Sequence, residues 1–385
     1  DVYKRQSLEV YWNTTKDLLM AVPVDNTTGY SYQFQNFGKT SNRGIELSVN
    51  VDVINKGDFR FNVGAIYNYN RNKLDELPNA DQYLYSSYWG SSSLVPTNDY
   101  MFVEGKAIGL VRGFISEGYY TVDDFNYTNG QYVLKEGVPD ITKALTATYM
   151  HPYDLPAGQT AFPGAAKFRD VDESGTVDLD DATCLGEVMP RHTGSFQLNF
   201  NYKNFDLSTN FNWTAGGKVY NVAAMINASG QEFDGIGAQR ASWVADAFKV
   251  YNVNAAGDLY AVTNPDELRA LNANAKYHLP YHQSGITSSE WLENGSYLRL
   301  QTLTLGYTLP KNWLTKVHVD KIRLYLTATN LFTITGYSGI DPEVNANPTG
   351  QSGFYSDLRI FPTLNMDFGT YPRARTFTFG ANITF

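Results

Sequence analysis

Apolar and polar residues alternate with a period of two along much of the chain, the pattern of a β-strand whose two faces meet different surroundings. Residues 45–53 show it clearly, with isoleucine, leucine and valine at odd positions and polar residues between them. Within 296–309 the apolar positions change parity after Leu300, which predicts a β-bulge near Gln301–Thr302. The alternation predicts eight strands, at 7–14, 43–55, 58–71, 192–203, 204–215, 296–309, 320–331 and 373–385.

The lengths of the connections separate the two folds that alternating strands can build. A soluble sandwich buries its apolar face, whereas a membrane barrel turns that face to lipid. Short predicted connections (55–58, 203–204 and 310–319) alternate with long ones (15–42, 72–191, 216–295 and 332–372). Membrane barrels have short periplasmic turns and long outer loops. We therefore predict an all-β fold, a transmembrane barrel wall of about eight antiparallel strands, in which 72–191 is a long extracellular loop.

Local signals predict little helix. Asn264 before Pro265 is an N-cap followed by proline at the first helical position, so a short helix is expected near 265–272. A second is expected over Trp243–Lys249.

Composition narrows the class of protein. Hydrophobic residues make up 43% and aromatic residues 15% of the 385 residues, which is too apolar for a disordered chain. No stretch of about 18 apolar residues occurs, which excludes a transmembrane helix. The net charge of −9 argues against nucleic acid as a partner. Cys184 is the single cysteine, which excludes an intramolecular disulfide, and we expect it to be a small buried residue.

The segment 170–181 has the spacing of a twelve-residue calcium loop. Side-chain oxygens occupy positions one, three and five, glycine occupies six, and position twelve carries aspartate where an EF-hand has glutamate. A solvated acidic turn is the alternative. We predict a structural Ca²⁺ site, and its expected ligands are Asp170, Asp172, Ser174, the Thr176 carbonyl, Asp178 (through water) and Asp181.

Signals for catalysis are weak, so we expect no enzyme activity. His278 and His282 have metal-ligand spacing, but Pro280 lies between them and breaks the helix that this spacing requires. Two surface-loop histidines are the expected outcome. No Gly-x-Ser-x-Gly or phosphate-binding glycine loop occurs.

Several motifs resemble the SusC/RagA family of TonB-dependent outer-membrane transporters. They are Trp291–Leu300 with Leu305–Pro310, Thr329–Phe332 with Gly336–Tyr337 and Asp341–Glu343, Tyr371–Gly380, and Asn36–Gly38 with Asn42–Glu46. In this family, an aspartate-rich loop like 170–181 often precedes the fourth of these strands. The resemblance covers essentially the whole chain.

The resemblance implies a fragment of a larger importer. Residues 1–385 would be the C-terminal portion of a 22-stranded barrel, without the plug domain and the N-terminal strands, in the outer membrane of a Gram-negative bacterium. Such transporters import oligosaccharides or peptides with a SusD-like surface lipoprotein, energised by the TonB–ExbB–ExbD complex. Residues that contact substrate differ between members, so none is assigned.

The last strand carries a possible assembly signal. Thr378, Gly380, Ile383 and Phe385 resemble the terminal pattern that the barrel-assembly machinery recognises in outer-membrane proteins, with the C-terminus on the periplasmic side. An ordinary edge strand that ends in phenylalanine is the alternative. The competing hypothesis for the whole chain is a secreted soluble β-protein that binds or cleaves carbohydrate.

Overall fold

One large antiparallel sheet, which we call the wall, dominates the computed structural model. The structure describes residues 3–30, 32–36, 38–77, 82–86, 94–146, 151–229, 241–279, 285–315, 319–344 and 364–385. Each wall strand pairs with the wall strands that precede and follow it in sequence. The strands are β1 (Lys4–Lys16), β2 (Lys39–Lys56), β3 (Phe59–Glu76), β4 (His192–Tyr202), β5 (Phe205–Ala215), β6 (Tyr297–Thr308), β7 (Lys321–Thr335) and β8 (Thr376–Thr384).

All eight predicted strands are confirmed, and so is the bulge. Asn210 of β5 pairs with Thr302 and Phe211 pairs with Leu300, which leaves Gln301 as the extra residue of β6. The shift keeps the leucines on both sides of Gln301 on one face of the wall. Strands β2 and β3 are each 18 residues long, longer than predicted, because their pairing continues beyond the apolar run toward the long connections.

Side chains of opposite character line the two faces of the wall. One row of directly opposed residues is almost wholly apolar: Val51, Val63, Leu198, Thr209, Leu303, Ala328 and Phe377. The row one residue further along each strand is polar: Asp52, Asn62, Asn199, Ser208, Thr304, Thr327 and Thr378. Polar side chains bond across strands, with Asn62 donating to Asp52 over 2.8 Å and Ser208 donating to Asn199 over 2.6 Å.

The apolar face of the wall lies open. Val10, Ile45, Leu305 and Phe379 on this face are 73%, 40%, 45% and 74% exposed. A soluble sandwich would bury these side chains, because their transfer from water supplies most of its stability. The wall therefore has the inverted arrangement of a membrane barrel, apolar outside and polar inside.

The buried core of the molecule lies in the long connections. The described residues within 77–191, 216–296 and 364–369 fold together into a unit that we call the cap. One cluster packs Phe114, Phe162 and Phe168 of the first connection against Phe248 and Leu268 of the second. A second cluster joins Tyr100 and Val188 to Tyr220, Trp291 and Met366. Hydrogen bonds also cross between the connections: the Tyr132 hydroxyl donates to the Thr263 carbonyl over 2.8 Å.

The remaining elements are short. The helices are α1 (Lys143–Thr146), α2 (Val222–Ser229), α3 (Ala241–Asp246), α4 (Pro265–Leu271) and α5 (Lys311–Leu314), with 3-10 turns at Asn26–Thr28, Val122–Asp124, Leu179–Asp181 and Ser289–Trp291. The short strands are Leu19–Pro23, Tyr32–Asn36, Gln82–Tyr85, Leu94–Val95, Tyr100–Val103, Leu110–Gly113, Ser116–Tyr119, Phe125–Thr128, Gln131–Leu134, Asp140–Ile141, Ala166–Phe168, Thr176–Val177, Thr183–Glu187, Lys218–Asn221, Tyr251–Val253, Leu259–Ala261, Gly285–Ile286, Leu292–Asn294 and Met366–Asp367.

The helix predicted near 265–272 is confirmed as α4. The Asn264 side chain caps it by accepting the backbone N–H groups of Asp266 and Glu267. The helix predicted over Trp243–Lys249 is α3, which begins and ends earlier. In the part of the chain that the structure describes, no helix has both the length and the apolar character needed to cross a membrane.

Candidate functional site

The acidic loop 170–181 lies in the cap, on the path between two short strands. Its seventh and eighth residues form the strand Thr176–Val177, which pairs in parallel with Asp140–Ile141. The carbonyls of Gly175 and Val177 accept the N–H groups of Asp140 and Thr142. Because carbonyls alternate along a strand, the Thr176 carbonyl points the other way, into the loop, where it accepts the Ser174 hydroxyl over 3.0 Å.

Three of the predicted ligands converge. Carboxylate oxygens of Asp170, Asp172 and Asp181 lie within 4.8 Å of one another. Asp181 is fully buried and accepts the backbone N–H groups of Val171 and Asp178, so the closing residue is fixed in place. Such convergence of negative oxygens is unfavourable unless a cation or donors compensate it.

Backbone geometry fits the rest of the loop pattern. Gly175 has φ +86°, a left-handed conformation that glycine adopts without strain, as position six of a calcium loop requires. Ser174 donates its N–H to Asp170 and Asp172, and this bonding lowers the pKa of Asp172. Asp178 instead accepts the Asp180 N–H and caps the turn Leu179–Asp181, so it stands apart from the three converging carboxylates.

A buried ion-pair cluster joins the wall to the last long connection. Arg299 of β6 is 2% exposed and faces the polar side of the wall. Its guanidinium donates to Asp341 over 2.5 Å, to Glu343 over 2.7 Å and to the Thr333 hydroxyl over 3.0 Å. Arg373 lies 3.0 Å from Glu343 and 3.6 Å from Asp341. Three separate segments of the chain thus contribute two positive and two negative charges that balance one another.

This cluster gives a physical reason for three of the family-like motifs. Arg299 belongs to Trp291–Leu300, the two acids belong to Asp341–Glu343, and Arg373 belongs to Tyr371–Gly380. The sequence alone assigned no role to these motifs. Their charges were visible in the sequence, but the pairing was not, because it depends on how the connection 336–375 returns to the wall.

The histidine expectation is wrong for His278. It is 1% exposed, packed edge-on against Trp243, with its Nε2 atom 3.8 Å from a carboxylate oxygen of Glu290. Burial lowers the pKa of His278 to about 4 and raises the pKa of Glu290 to about 7. His282 lies outside the described residues. Cys184 is also a correction, since it is exposed rather than buried: its strand, Thr183–Glu187, lies at one edge of a small sheet of the cap.

The terminal strand β8 forms one edge of the wall. Thr378, Gly380 and Ile383 pair with Thr327, Tyr325 and Ile322 of β7. Ile383 is 52% and Phe385 86% exposed. A Cβ atom on Gly380 would lie 2.4 Å from the Tyr325 ring, so a larger residue there would displace that ring, which gives the glycine a packing role independent of any role as a signal.

Comparison with known proteins shows which proteins this chain resembles. No family model matches the sequence. The chain is 30% identical over 380 residues to TonB-dependent receptor P3 of Formosa agariphila, covering 98% of this chain and 32% of that protein. It is 24% identical over 388 residues to TonB-dependent receptor SusC of Bacteroides thetaiotaomicron, covering 98% and 30%. Over nearly its whole length the chain is thus similar to TonB-dependent receptors, SusC among them.

Solved transporter structures share the fold. The RagAB peptide transporter superposes with a TM-score of 0.63 at 21% identity, covering 99% of this chain and 34% of that one. Its closed-closed state gives a TM-score of 0.64 at 20% identity, covering 99% and 33%. The predicted fold class is thus confirmed, the wall being a segment of a TonB-dependent transporter barrel. The chain spans about a third of the length of these relatives, all of which are receptors or transporters rather than enzymes.

Proposed function

We propose that this chain belongs to the SusC/RagA family and supplies barrel wall and extracellular loops to an outer-membrane active transporter. The transporter imports glycan oligosaccharides or peptides with a SusD-like surface lipoprotein, and TonB–ExbB–ExbD energises it. The contrast between the two faces of the wall is the observation that supports this proposal. The apolar face is open and the polar face is hydrogen-bonded, which suits lipid on one side and a polar lumen on the other. The competing soluble carbohydrate-binding protein would leave the exposed apolar face without a partner.

In this proposal the cap lies outside the cell and the short turns lie in the periplasm. The cap includes most of the 72–191 loop predicted from the sequence, whose first residues extend strand β3, and buried clusters hold the cap together. A rigid cap is a suitable base for contacts with a surface lipoprotein and for substrate capture, because folded loops lose little entropy on binding.

The test uses the full-length transporter in its native cells. Sodium carbonate extraction should leave it in the outer-membrane pellet, and release into the supernatant would refute the barrel. Uptake of two labelled pools, a tryptic peptide mixture and a starch-derived oligosaccharide mixture, should then be compared in wild-type and deletion strains. One pool should enter in a manner that requires both the gene and the proton-motive force. Equal uptake of both pools in the deletion strain would refute a role in importing either.

We further propose that the loop 170–181 binds a structural Ca²⁺ ion. The supporting geometry is the convergence of Asp170, Asp172 and Asp181, the inward Thr176 carbonyl and the left-handed Gly175. The ion would neutralise the carboxylates and fix the loop against the strand Asp140–Ile141. Asp178 would contribute through water.

Calcium titration of the full-length transporter tests this site. Limited proteolysis should cut the 72–191 segment faster after chelation, with the barrel left intact. Asp170→Asn should remove the calcium dependence, whereas Glu173→Gln, at the non-ligand fourth position of the same loop, should preserve it. Calcium-independent cleavage of the wild-type protein would refute the site.

A further inference from the structure

Two arginines stand side by side where the apolar face of the wall ends toward the cap. Arg43 of β2 and Arg71 of β3 are directly opposed in the ladder, and both are exposed. They occupy the same face as the apolar row, because Ile45 and Tyr69, two residues along each strand toward the short turns, are the next opposed pair on that face. Arg43 also lies over the ring of Trp12, with its guanidinium carbon 3.7 Å from the ring centroid.

This pair lacks an acidic partner within the part of the chain that the structure describes. The neighbouring lysines are compensated: Lys73 lies 3.2 Å from Asp75 and Lys39 lies 3.0 Å from Glu76. Among the described residues, neither arginine has a carboxylate within 4.0 Å. Like charges directly opposed across two strands are unfavourable unless an anion lies between them. No described group of the wall therefore neutralises the two positive charges of this pair.

The position of the pair identifies the anion's source. The apolar positions of β2 run from Ile45 to Val53, and about 9–11 residues are enough to span the membrane. Tyr67 lies four residues nearer the short turns than Arg71 on the same strand, and its ring centroid is 6.1 Å from that of Trp213. These two rings lie at the level of an aromatic girdle. Side chains just past this girdle lie among lipid headgroups, whose phosphates guanidinium groups bind in a bidentate manner.

We propose that Arg43 and Arg71, flanked by Trp12, form a binding site for the phosphate group of an anionic lipid in the leaflet on the cap side of the membrane. The two guanidinium groups grip the phosphate oxygens, and the apolar residues below them contact the acyl chains. Under the proposed function, on which this inference rests for its membrane side, that lipid is the phosphorylated glycolipid of the outer leaflet. The lipid would fasten the rim of β1–β3 to the membrane surface.

Native mass spectrometry of the full-length transporter tests the site, using micelles doped with bisphosphorylated lipid A or with its dephosphorylated form. The wild-type protein should retain the bisphosphorylated lipid selectively. The double variant R43Q/R71Q should bind it about 30-fold more weakly, since each basic side chain near an anionic surface contributes roughly fivefold. R60Q is the matched control, because Arg60 is an exposed arginine of β3 near the short turn at the opposite end.

Each outcome decides the proposal. R43K/R71K should stay within a few-fold of the wild-type protein, which separates loss of charge from misfolding. Equal retention by R43Q/R71Q and the wild-type protein would overturn the site, as would an equal loss in R60Q. Displacement of the lipid by millimolar inorganic phosphate would overturn the choice of a lipid. Carbonate extraction of the same protein tests membrane insertion separately, so failure of this site is distinguishable from failure of the proposed function.

Discussion

Replacing Arg299 should detach the last long connection from the wall. In Arg299→Met, the buried Asp341, whose side chain is 7% exposed, loses its partner at 2.5 Å. Removing one member of a buried ion pair costs about 3–5 kcal/mol. Glu343 adds little to this cost, because its side chain is 43% exposed, and Arg373 remains 3.6 Å from Asp341. We therefore expect Arg299→Met to destabilise the attachment of the connection to the wall by about 3 kcal/mol, at the lower end of that range.

Hydrogen exchange of the full-length transporter measures this change locally. If the connection opens without global unfolding, amides in 336–344 and 364–375 should exchange about 150-fold faster, since 1.4 kcal/mol corresponds to a factor of ten. Exchange in β2 and β3 should not change, which makes those strands an internal control.

Two further variants distinguish the ion pair from simple packing. Arg299→Lys keeps the charge but loses the forked geometry, so an intermediate effect is expected. The double variant Arg299→Met with Asp341→Leu should recover part of the loss, because no charge stays buried alone. An acceleration below about fivefold in Arg299→Met, or strict additivity in the double variant, would refute the reasoning.

Two other regions give predictions. Deleting Phe385 from the full-length protein should lower its outer-membrane level if β8 carries an assembly signal. The control is Tyr371→Ala, at an aromatic residue that is 88% exposed and lies outside the strand, which should leave the level unchanged. Unchanged levels after the deletion would leave Phe385 only a structural role. Burial raises the pKa of Glu290 to about 7 from an ordinary value of 4.5, so the native cap favours the protonated form. The stabilisation from this protonation is complete below pH 4.5 and is lost as the pH rises through about 7, amounting to roughly 3 kcal/mol at about 1.4 kcal/mol per pKa unit. The backbone amides of residues 285–295 should therefore exchange hydrogen faster at pH 8 than at pH 5, after correction for intrinsic rates. Glu290→Gln should remove this difference, and a variant that keeps it would contradict the assignment.

The wall was predictable because its information is local. A strand between lipid and a polar lumen must alternate apolar and polar residues, so the pattern of residues 45–53 predicts both their conformation and the surroundings of their two faces. Even the bulge at Gln301 is visible as a change of parity between Leu300 and Leu303. Strand ends were less exact, as with β2 and β3, because pairing beyond the apolar run follows no alternation.

The cap and its charged contacts were not predictable in the same way. Tyr100 packs near Tyr220 across 120 positions, their ring centroids 6.4 Å apart, and no periodicity marks such a contact. His278 appeared to be a surface residue because Pro280 follows it and breaks any helix there, yet it is buried and packs against Trp243 from another segment. The acidic loop was found because all its groups lie within twelve consecutive residues.

The shared clusters of the cap limit how this protein can be altered or can diverge. Each cluster takes side chains from both 77–191 and 216–296, and one also includes Met366. A chimera that receives only one of these connections from a relative would expose half of two cores. Exchange of recognition properties between relatives should therefore succeed only when the two connections are transplanted together, and natural recombination should inherit them as a block.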